Sequence, residues 1–344
     1  MGVQISEIIP KKEIELSELK GKTIAIDAFN TLYQFLTTIR QQDGTPLMDS
    51  KGNTTSHLSG LLYRNINLLT EGINLIYVFD GKPPELKLKE IQKRKEAKEL
   101  AQEKYNEAKE HQDFAEMKKY SAQTVKITET IIQESKELLE ALGISIVQAE
   151  SEGEAEASSI ARNKFAWASA SQDYDSLLFG APRLIRNLTL SRKRKTSSGA
   201  IVDTVIELIE FEDVLNKLQI NQDQLICLAI LVGTDYNPGG VKGIGQKRAL
   251  EIVQKYQYPV KIFEYVSNSE KYLLDFDWTE IFKQFKEFKP VTREKIPDLK
   301  INKEKIIDIL VNRHDFSQER IDSALEKLKI LEENKKQKGL NEFW

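Results

Sequence analysis

The chain has 344 residues, of which 40% are hydrophobic, so it is long enough for roughly two domains and apolar enough for a sizeable core. Its one cysteine, Cys227, excludes an internal disulfide, and the sequence shows neither the roughly 18-residue apolar run of a membrane span nor a secretion signal. We therefore expect a soluble, intracellular globular protein. The net charge of −3 does not exclude nucleic acid as a partner, because 50 basic and 53 acidic residues can be segregated locally.

The first 80 residues predict a strand, two helices and a second strand. Apolar runs at residues 23–26 and 75–79 lead into Asp27 and Asp80, and short apolar runs of this kind are typical of buried parallel strands. Tyr33 belongs to the helix that follows Asp27. This order is the beginning of a β-α-β arrangement.

From Pro83 to Gly143 the pattern changes to a long charged segment, in which Glu and Lys or Arg recur three or four residues apart. Such spacing is typical of solvent-exposed helices. We interpret about residues 83–135 as a helical arch over the active site. A surface projection without a catalytic part is the alternative.

After Gly143 the core pattern returns with a predicted strand at residues 144–147. Ser151 then favours the start of a helix as its N-cap, and Glu152 and Glu154 lie in the first turn. Carboxylates at that place are often only partners of the helix dipole. Their role therefore depends on the other acids of the chain.

A further apolar run, residues 167–170, predicts the strand that leads to Asp173 and Asp175. The stretch from there to Asp203 contains no acid and six cations: Arg183, Arg186, Arg192, Lys193, Arg194 and Lys195. It is either a solvated loop or a surface that follows a phosphate backbone. Its position next to Asp173 and Asp175 favours the second interpretation.

Residues 224–255 predict two helices around a glycine-rich turn that contains Asp235. Gly243 and Gly245 can present backbone N–H groups to a phosphate. Sequence-independent contact with a DNA backbone is further favoured by three neighbouring cations, Lys242, Lys247 and Arg248. A last helix pair, at residues 303–311 and 317–331, is expected to pack on the body.

Seven carboxylates lie in these motifs: Asp27, Asp80, Glu152, Glu154, Asp173, Asp175 and Asp235. The functional cleft of an open α/β sheet lies at the carboxyl ends of its strands, so we expect the seven to converge there. Carboxylates without accompanying Cys or His clusters favour Mg²⁺ or Mn²⁺ over zinc, and the three histidines are scattered in the sequence. Because no nucleophile triad is apparent, metal-bound water is the expected attacking group.

Four motifs, in this order along the chain, resemble those of the structure-specific flap endonucleases of the 5′ nuclease superfamily, of the archaeal and eukaryotic replication type. They are residues 25–28 with 33–36, residues 78–84, residues 151–155, and residues 233–236 with 243–245. The resemblance runs almost end to end. It implies an α/β fold with a mostly parallel central sheet flanked by helices (a PIN-like 5′ nuclease core), a helical arch insertion and a helix-turn-helix that binds DNA.

The resemblance also implies an activity. This is metal-dependent hydrolysis of a DNA phosphodiester at the base of a 5′ flap, with accessory 5′–3′ exonuclease activity, in Okazaki fragment maturation and long-patch base excision repair. Two Mg²⁺ ions, for which Mn²⁺ can substitute, are implied at the seven acids. A K⁺ ion is implied at the glycine turn.

The roles of other residues come from the same resemblance. Lys87 and Arg94 match the family's catalytic basic pair at the base of the arch, Tyr33 matches an aromatic residue on which a base stacks, and Arg40 matches a residue that contacts the duplex. Ordinary helix packing is the alternative for these. The helix-turn-helix contacts with DNA are implied for Lys242, Gly243, Gly245, Lys247 and Arg248.

The end of the chain matches the sliding-clamp-binding motif Q-x-x-aliphatic-x-x-aromatic-aromatic through Gln337, Leu340, Phe343 and Trp344. Trp344 replaces the commoner second Phe. The implied partners are branched DNA with a 5′ flap and a sliding clamp of the PCNA type, and no membrane. We expect a monomer in the absence of the clamp, in the cytoplasm or nucleoid of an archaeal-type cell rather than in a nucleus.

These features predict one 5′ nuclease domain at about residues 1–330 and a flexible tail at about residues 331–344. Within the domain we expect an N-terminal part to about residue 100, an internal nuclease part at about residues 120–255, and the helix-turn-helix at about residues 224–255. Two other functions stay open, a sibling nuclease that cuts bubbles or four-way junctions and a catalytically silent DNA-binding clamp adaptor. The compact arch and the clamp motif favour flaps, and the presence of all seven acids argues against the adaptor.

Overall fold

A computed structural model describes residues 2–41, 43–191, 193–195, 201–291, 295–297 and 299–328. Its described strands are β1 (Lys12–Ile14), β2 (Thr23–Asp27), β3 (Asn74–Phe79), β4 (Ser145–Gln148), β5 (Ala168–Ala170), β6 (Arg183–Arg186), β7 (Lys193–Lys195), β8 (Ile201–Asp203) and β9 (Ile206–Glu210). Seven of them form one sheet in the order β1-β9-β6-β5-β2-β3-β4, and β7 and β8 form a separate antiparallel pair.

The middle of the main sheet is parallel, from β6 through β5, β2 and β3 to β4. Only β9 reverses direction, because it is antiparallel to β6, and the edge strand β1, which is antiparallel to β9, again runs in the direction of the parallel strands. The parallel strands β2 and β3 are almost wholly buried, as expected where helices cover both faces. The short edge strand β1 has one buried residue, Ile14, and its sequence carries no apolar run that would have predicted it.

The helices surround this sheet. They are α1 (Ala28–Thr38), α2 (Ser56–Thr70), α3 (Leu88–Glu110), α4 (Phe114–Ser121), α5 (Glu129–Ala141), α6 (Gly153–Arg162), α7 (Asp175–Leu178), α8 (Phe211–Leu218), α9 (Gln222–Val232), α10 (Gln246–Tyr256), α11 (Pro259–Ser267), α12 (Trp278–Lys286) and α13 (Lys303–Ile307). The predicted fold class, α/β with a mostly parallel sheet flanked by helices, is confirmed. No helix in the described ranges combines the length and apolarity that crossing a bilayer needs.

Alternate residues of the central strands face two different apolar layers, as the period of two in a strand requires. Ile24 and Ile26 pack with α1, α2, α5 and the C-terminal helices. Ala25 between them packs with Ile76 and with α6 on the opposite face. A further core joins β6 and β9 to α7 through α12. The central sheet therefore lies between layers that are held by separate cores.

Helix α3 is the exposed helix that its charge pattern predicts. Of its 23 residues only Glu90, Ala101 and Ala108 are buried, and its main neighbour is α4. Helix α5, by contrast, packs Leu138 and Leu139 into the core of the body. The segment from α3 to α4 is thus a polar helical hairpin inserted between two buried elements.

The turn between α9 and α10 requires glycine at two places. Gly233 has φ +113° and Gly240 has φ +56°, both outside the range that other residues adopt readily. A side chain at Gly240 would also lie 2.4 Å from the carbonyl oxygen of Leu231. Val241 N donates a hydrogen bond to that same carbonyl at 2.9 Å, so the turn closes tightly onto the end of α9.

The last described segments pack on the body, as predicted for the C-terminal helix pair. Helix α13 continues as a π-helical segment, Asp308–Arg313, and residues 318–328 form another helix. Ile306, Ile309 and Leu325 belong to the core beneath α2 and α5. The expected clamp motif at Gln337, Leu340, Phe343 and Trp344 lies outside the described residues.

Candidate active site

The predicted acids lie at the carboxyl ends of the parallel strands, although they come from distant parts of the sequence. Asp27 is the last residue of β2, Asp80 directly follows β3, and Asp175 begins the short helix α7 beyond β5. Glu152 is the N-cap residue of α6 and Glu154 lies in its first turn. The edge of the sheet therefore gathers carboxylates that no local sequence pattern connects.

Burial and mutual repulsion raise the affinity of these acids for protons. Burial, together with the charges of Asp80 and Asp173, raises the pKa of Asp27 to about 8. Burial, together with the charges of Asp235 and Asp173, raises the pKa of Asp175 to about 7. A group of carboxylates of this kind is stabilised by nearby positive charge.

The two glutamates belong to the same electrostatic cluster. Burial raises the pKa of Glu154 well above its ordinary value, and Asp175, Asp173 and Asp27 contribute in that order. Burial likewise raises the pKa of Asp80, and the charge of Glu152 acts in the same direction. The structure therefore brings all seven predicted acids into one cluster.

Asn30 connects two of the acids, and sequence reasoning missed it. Asp27 caps α1 by accepting a hydrogen bond from Asn30 N at 3.1 Å, while Asn30 Nδ2 donates to Asp173 Oδ2 at 3.1 Å. The only available signal was its place in the first turn of a helix that starts at an acid. Asn30 thus links the end of β2 to the loop after β5.

Backbone amides hold several carboxylates in place, and these too were not predicted. Gly2 N donates to Asp173 Oδ1 and Val3 N donates to Asp175 Oδ1, each at 2.9 Å. Glu154 Oε1 accepts from Ser176 N at 3.0 Å and from its hydroxyl at 2.8 Å. A side chain at Gly2 would lie 2.6 Å from Asp173 Cβ, so the N-terminal segment fits closely against the site.

The predicted basic pair reaches into the acid cluster from the base of α3. Lys87 Nζ forms an ion pair with Glu152 Oε1 and lies 3.6 Å from Asp235 Oδ2. Arg94 Nη2 donates to Asp235 Oδ1 at 2.8 Å, and its Nε donates to Glu90 at 3.1 Å. Burial disfavours the ammonium of Lys87, but the charges of Glu152 and Asp235 outweigh that effect and raise its pKa.

The donor set fits a hard divalent cation, because it consists of carboxylates and contains no Cys or His. In the part of the chain that the structure describes, no three potential ligands converge tightly enough to enclose an ion as they stand. The edge of the sheet thus offers carboxylate oxygens, the ligands that Mg²⁺ and Mn²⁺ prefer.

Comparison with known proteins agrees with this geometry. Family models of the XPG N-terminal domain and the XPG I-region match residues 1–101 and 143–235. The chain is 53% identical to flap endonuclease 1 of Pyrococcus furiosus, over 100% of this chain and 99% of that protein. It is 50% identical to flap endonuclease 1 of Sulfolobus acidocaldarius, over 99% and 100%. The chain belongs to the flap endonuclease 1 family.

Solved structures support the same membership. Flap endonuclease-1 from Methanococcus jannaschii superposes with a TM-score of 0.75 at 44% identity, covering 97% of this chain and 100% of that one. The catalytic core of Rad2 in complex with DNA substrate shares the fold, with a TM-score of 0.69 at 21% identity over 92% of this chain and 95% of the Rad2 chain. The family resemblance found in the motifs is confirmed, and with it the expected class of enzyme, a structure-specific flap endonuclease.

The residues expected to contact DNA lie on the surface of this flap endonuclease fold, with one partial exception. Tyr33 is 41% exposed, with Lys98 Nζ 5.7 Å from its ring centroid. Arg40 is half-buried, because its Nε and Nη1 donate to the carbonyl oxygens of Leu36 and Gly44. The helix-turn-helix exposes all of its predicted contacts: Lys242, Gly243, Gly245, Lys247 and Arg248.

The acid-free basic stretch differs from the expected open surface at its first two cations. Arg186 pairs with Glu207 at 2.7 Å and Arg183 pairs with Glu210 at 3.0 Å, so both link β6 to β9. Acids of a later strand thus pair with these two cations, and the interpretation of the stretch as a surface that follows a phosphate backbone stays a prediction. Arg192 and the side chains of residues 193–195 lie outside the described part of the chain.

Proposed function

We propose that this chain hydrolyses the DNA phosphodiester at the junction between a 5′ flap and the duplex, with a weaker 5′–3′ exonuclease activity, in Okazaki fragment maturation and long-patch base excision repair. The observation that carries the proposal is the seven-acid cluster at the sheet edge, into which Lys87, directly before α3, and Arg94 of α3 reach. Family membership gives the class of reaction. The cluster supplies groups that suit metal-dependent phosphodiester hydrolysis.

The seven acids hold two Mg²⁺ ions, directly or through water, and Mn²⁺ can substitute. Bound ions supply charge neutralisation at the scissile phosphate and a water with a lowered pKa. The chain's own part is to place the donors: Asn30 and the amides of Gly2 and Val3 orient Asp173 and Asp175. Such outer partners fix the direction in which a carboxylate offers its oxygens.

Lys87 and Arg94 are the catalytic cations of this proposal. Their present partners are Glu152 and Asp235. A phosphate that enters beside these acids offers the ammonium and the guanidinium a new anionic partner. Fixed cations at that place stabilise the negative charge that develops on the phosphate oxygens during hydrolysis. The arch, about residues 83–135, carries both cations and stands over the path of the flap.

The DNA is held on two further surfaces in this proposal. Tyr33 stacks on a base near the cleaved bond, since its ring is exposed, and Arg40 contacts the duplex. The helix-turn-helix binds the duplex backbone through Lys242, Lys247 and Arg248 and through the turn at Gly243 and Gly245, where K⁺ binds beside a phosphate. The glycine turn is open, because Gly243 and Gly245 are both exposed.

The proposed protein partner is a sliding clamp of the PCNA type. Gln337, Leu340, Phe343 and Trp344 are its binding motif, on the sequence match alone. Titration of the full chain against a PCNA-type clamp tests this part. We expect the Phe343→Ala variant to bind at least about tenfold more weakly, because an aromatic anchor that fills a pocket contributes most of the affinity of such a motif.

The decisive experiment is incubation with Mg²⁺ and a 5′-labelled double-flap DNA, beside matched bubble, four-way-junction and single-strand substrates, with products mapped at nucleotide resolution. Cleavage mainly at the flap base that a chelator abolishes is the expected result. Preferential cutting of bubbles or junctions would identify the sibling class instead. Tight binding without a metal-dependent product would leave only the adaptor function.

The Asp175→Asn variant tests the metal assignment in the same assay. Loss of one carboxylate from the cluster is expected to slow cleavage by at least about a hundredfold, because ligands and their partners set ion affinity and placement. Asn keeps the size of the side chain and can still accept from Val3 N. A rate within about threefold of the unmodified protein would contradict the assignment of Asp175 as a metal-binding residue.

A further inference from the structure

Tyr236 is a buried side chain that touches both an acid and a cation of the candidate active site. Its hydroxyl donates a hydrogen bond to Glu152 Oε2, and Lys87 Nζ lies 5.4 Å from the centroid of its ring. The same ammonium is ion-paired with the other oxygen of Glu152. Each of the three side chains therefore contacts the other two in one cluster of Tyr236, Glu152 and Lys87.

The position of Tyr236 is determined by contacts with its own turn and with a neighbouring helix. Its backbone N donates to Thr234 Oγ1 at 3.1 Å, and that hydroxyl donates to Asn237 Oδ1 at 2.7 Å. Its ring meets Phe285 of α12 edge to face, with centroids 5.2 Å apart and an interplanar angle of 72°. The tyrosine is therefore a rigid support, held by α12 and by the turn that also carries Asp235.

Lys87 needs such a support. A lysine ammonium at the end of a flexible four-carbon chain is attracted by any nearby acid and is poorly oriented by charge alone. A ring face gives the ammonium a directional contact, which is stronger when water is largely excluded, and the Lys87 side chain is only 23% exposed. Tyr236 also engages Glu152 Oε2, which leaves Glu152 Oε1 directed at Lys87.

We propose that Tyr236 is a positioning residue for flap cleavage, which holds Glu152 and Lys87 so that the lysine ammonium is presented to the scissile phosphate. The inference rests on the proposed function and adds to it a residue that does not itself touch the substrate. It predicts that the contribution of Tyr236 to the rate passes through Lys87. A structural role alone would affect stability without that dependence.

The test is a double-mutant cycle under single-turnover conditions with saturating enzyme. Tyr236→Phe keeps the ring and removes the hydrogen bond to Glu152, and we expect it to slow cleavage by about tenfold while the dissociation constant for flap DNA changes less than about twofold. When Lys87→Ala is already present, adding Tyr236→Phe is expected to slow cleavage further by less than about twofold. Phe285→Leu, which removes the edge contact, should show a smaller loss with the same dependence on Lys87.

Tyr77→Phe is the matched control. It removes another buried tyrosine hydroxyl, which donates to Asn65 Oδ1 at 2.8 Å in the core, and should lower thermal stability without changing the cleavage rate. A loss under about threefold for Tyr236→Phe, or a loss that persists in full in the Lys87→Ala background, overturns the proposal. If Tyr236→Phe does not fold, Phe285→Leu decides by the same criterion. Failure of the unmodified protein to cut flaps would instead overturn the proposed function.

Discussion

At the scale of single residues, the side chains beside the acids matter as much as the acids themselves. Asn30 shows this most directly, because its backbone N–H and its side-chain amide hold Asp27 and Asp173, which belong to different strand ends. Each carboxylate that is oriented in this way offers its remaining oxygen in a defined direction. A substitution at Asn30 changes that geometry without removing any charge.

We expect Asn30→Ala to weaken Mg²⁺ activation of flap cleavage by about tenfold or more, since outer partners of metal-binding side chains usually contribute that much. The measurement is the cleavage rate as a function of Mg²⁺ concentration. Asn163→Ala is the control, because Asn163 directly follows α6 and its Nδ2 donates to Ser159 Oγ of that helix at 3.2 Å. Equal Mg²⁺ dependence of the two variants would contradict a role for Asn30 in orienting the acids.

At the scale of elements, α3 is a solvent-exposed helix from which one side chain reaches the acids of the site. Arg94 reaches Asp235, whereas the adjacent Lys93 is exposed. We expect Arg94→Ala to slow single-turnover cleavage by about a hundredfold, because a preorganised charge at the reacting phosphate is lost. Lys93→Ala removes the same charge from the same helix, and its cleavage rate should stay within about threefold of that of the unmodified protein. Equal losses would indicate general attraction of DNA to the helix rather than a specific position.

The turn between α9 and α10 allows a matched comparison of two glycines. Gly240→Ala would place a methyl group 2.4 Å from the Leu231 carbonyl oxygen, whereas at Gly239 nothing lies within 4 Å and φ is +87°. Both variants lose about 1 kcal/mol of stability to left-handed backbone strain. Because Gly240→Ala adds the clash with the carbonyl oxygen, its free energy of unfolding should fall by about 3 kcal/mol in total. Urea denaturation of both variants measures the difference. Equal stabilities would show that the turn can relax around the methyl group.

At the scale of the whole molecule, the acid cluster opposes folding unless something neutralises it. Burial and the neighbouring carboxylates together raise the pKa of Asp27 to about 8 and that of Asp175 to about 7. The native state therefore binds more protons than the unfolded state between about pH 4 and pH 8, and stability must fall as the pH rises through that range. A bound cation removes this effect, because it favours the ionised acids.

We expect the melting temperature in the presence of a chelator to fall from pH 5 to pH 8, and Mg²⁺ to raise it more at pH 8 than at pH 5. Thermal melts with and without Mg²⁺ measure both effects. Asn at position 27 cannot ionise, so Asp27→Asn should reduce the pH dependence of the melting temperature in the presence of a chelator. Two results together would contradict this interpretation of the cluster. In the chelator, the melting temperature of the unmodified protein would rise toward pH 8, and Asp27→Asn would show the same pH dependence as the unmodified protein.

At the same scale, two histidines make contacts that depend on the packing of the whole molecule. They are scattered along the chain, yet His57 Nε2 lies 3.1 Å from Glu134 and His314 Nε2 lies 3.3 Å from the same carboxylate. His314 Nδ1 lies 3.0 Å from Asp49. These contacts join α2, α5 and the C-terminal segment. They could not be predicted, because only the packing of those three elements brings the groups together.

The sequence by itself determined the parallel strands β2, β3, β4 and β5, most of the helices and the identity of the acids, because each depends on local patterns: apolar runs that end in Asp27 and Asp80, an N-cap at the start of a helix, and charges at helical spacing in α3. Only the tertiary structure decided which groups meet. The pairing of Arg186 with Glu207, the amides of Gly2 and Val3 at the acids and the hydroxyl of Tyr236 on Glu152 all join residues far apart in the chain. Their energies depend on distances that are set by the sheet order and the helix packing, which no local pattern encodes.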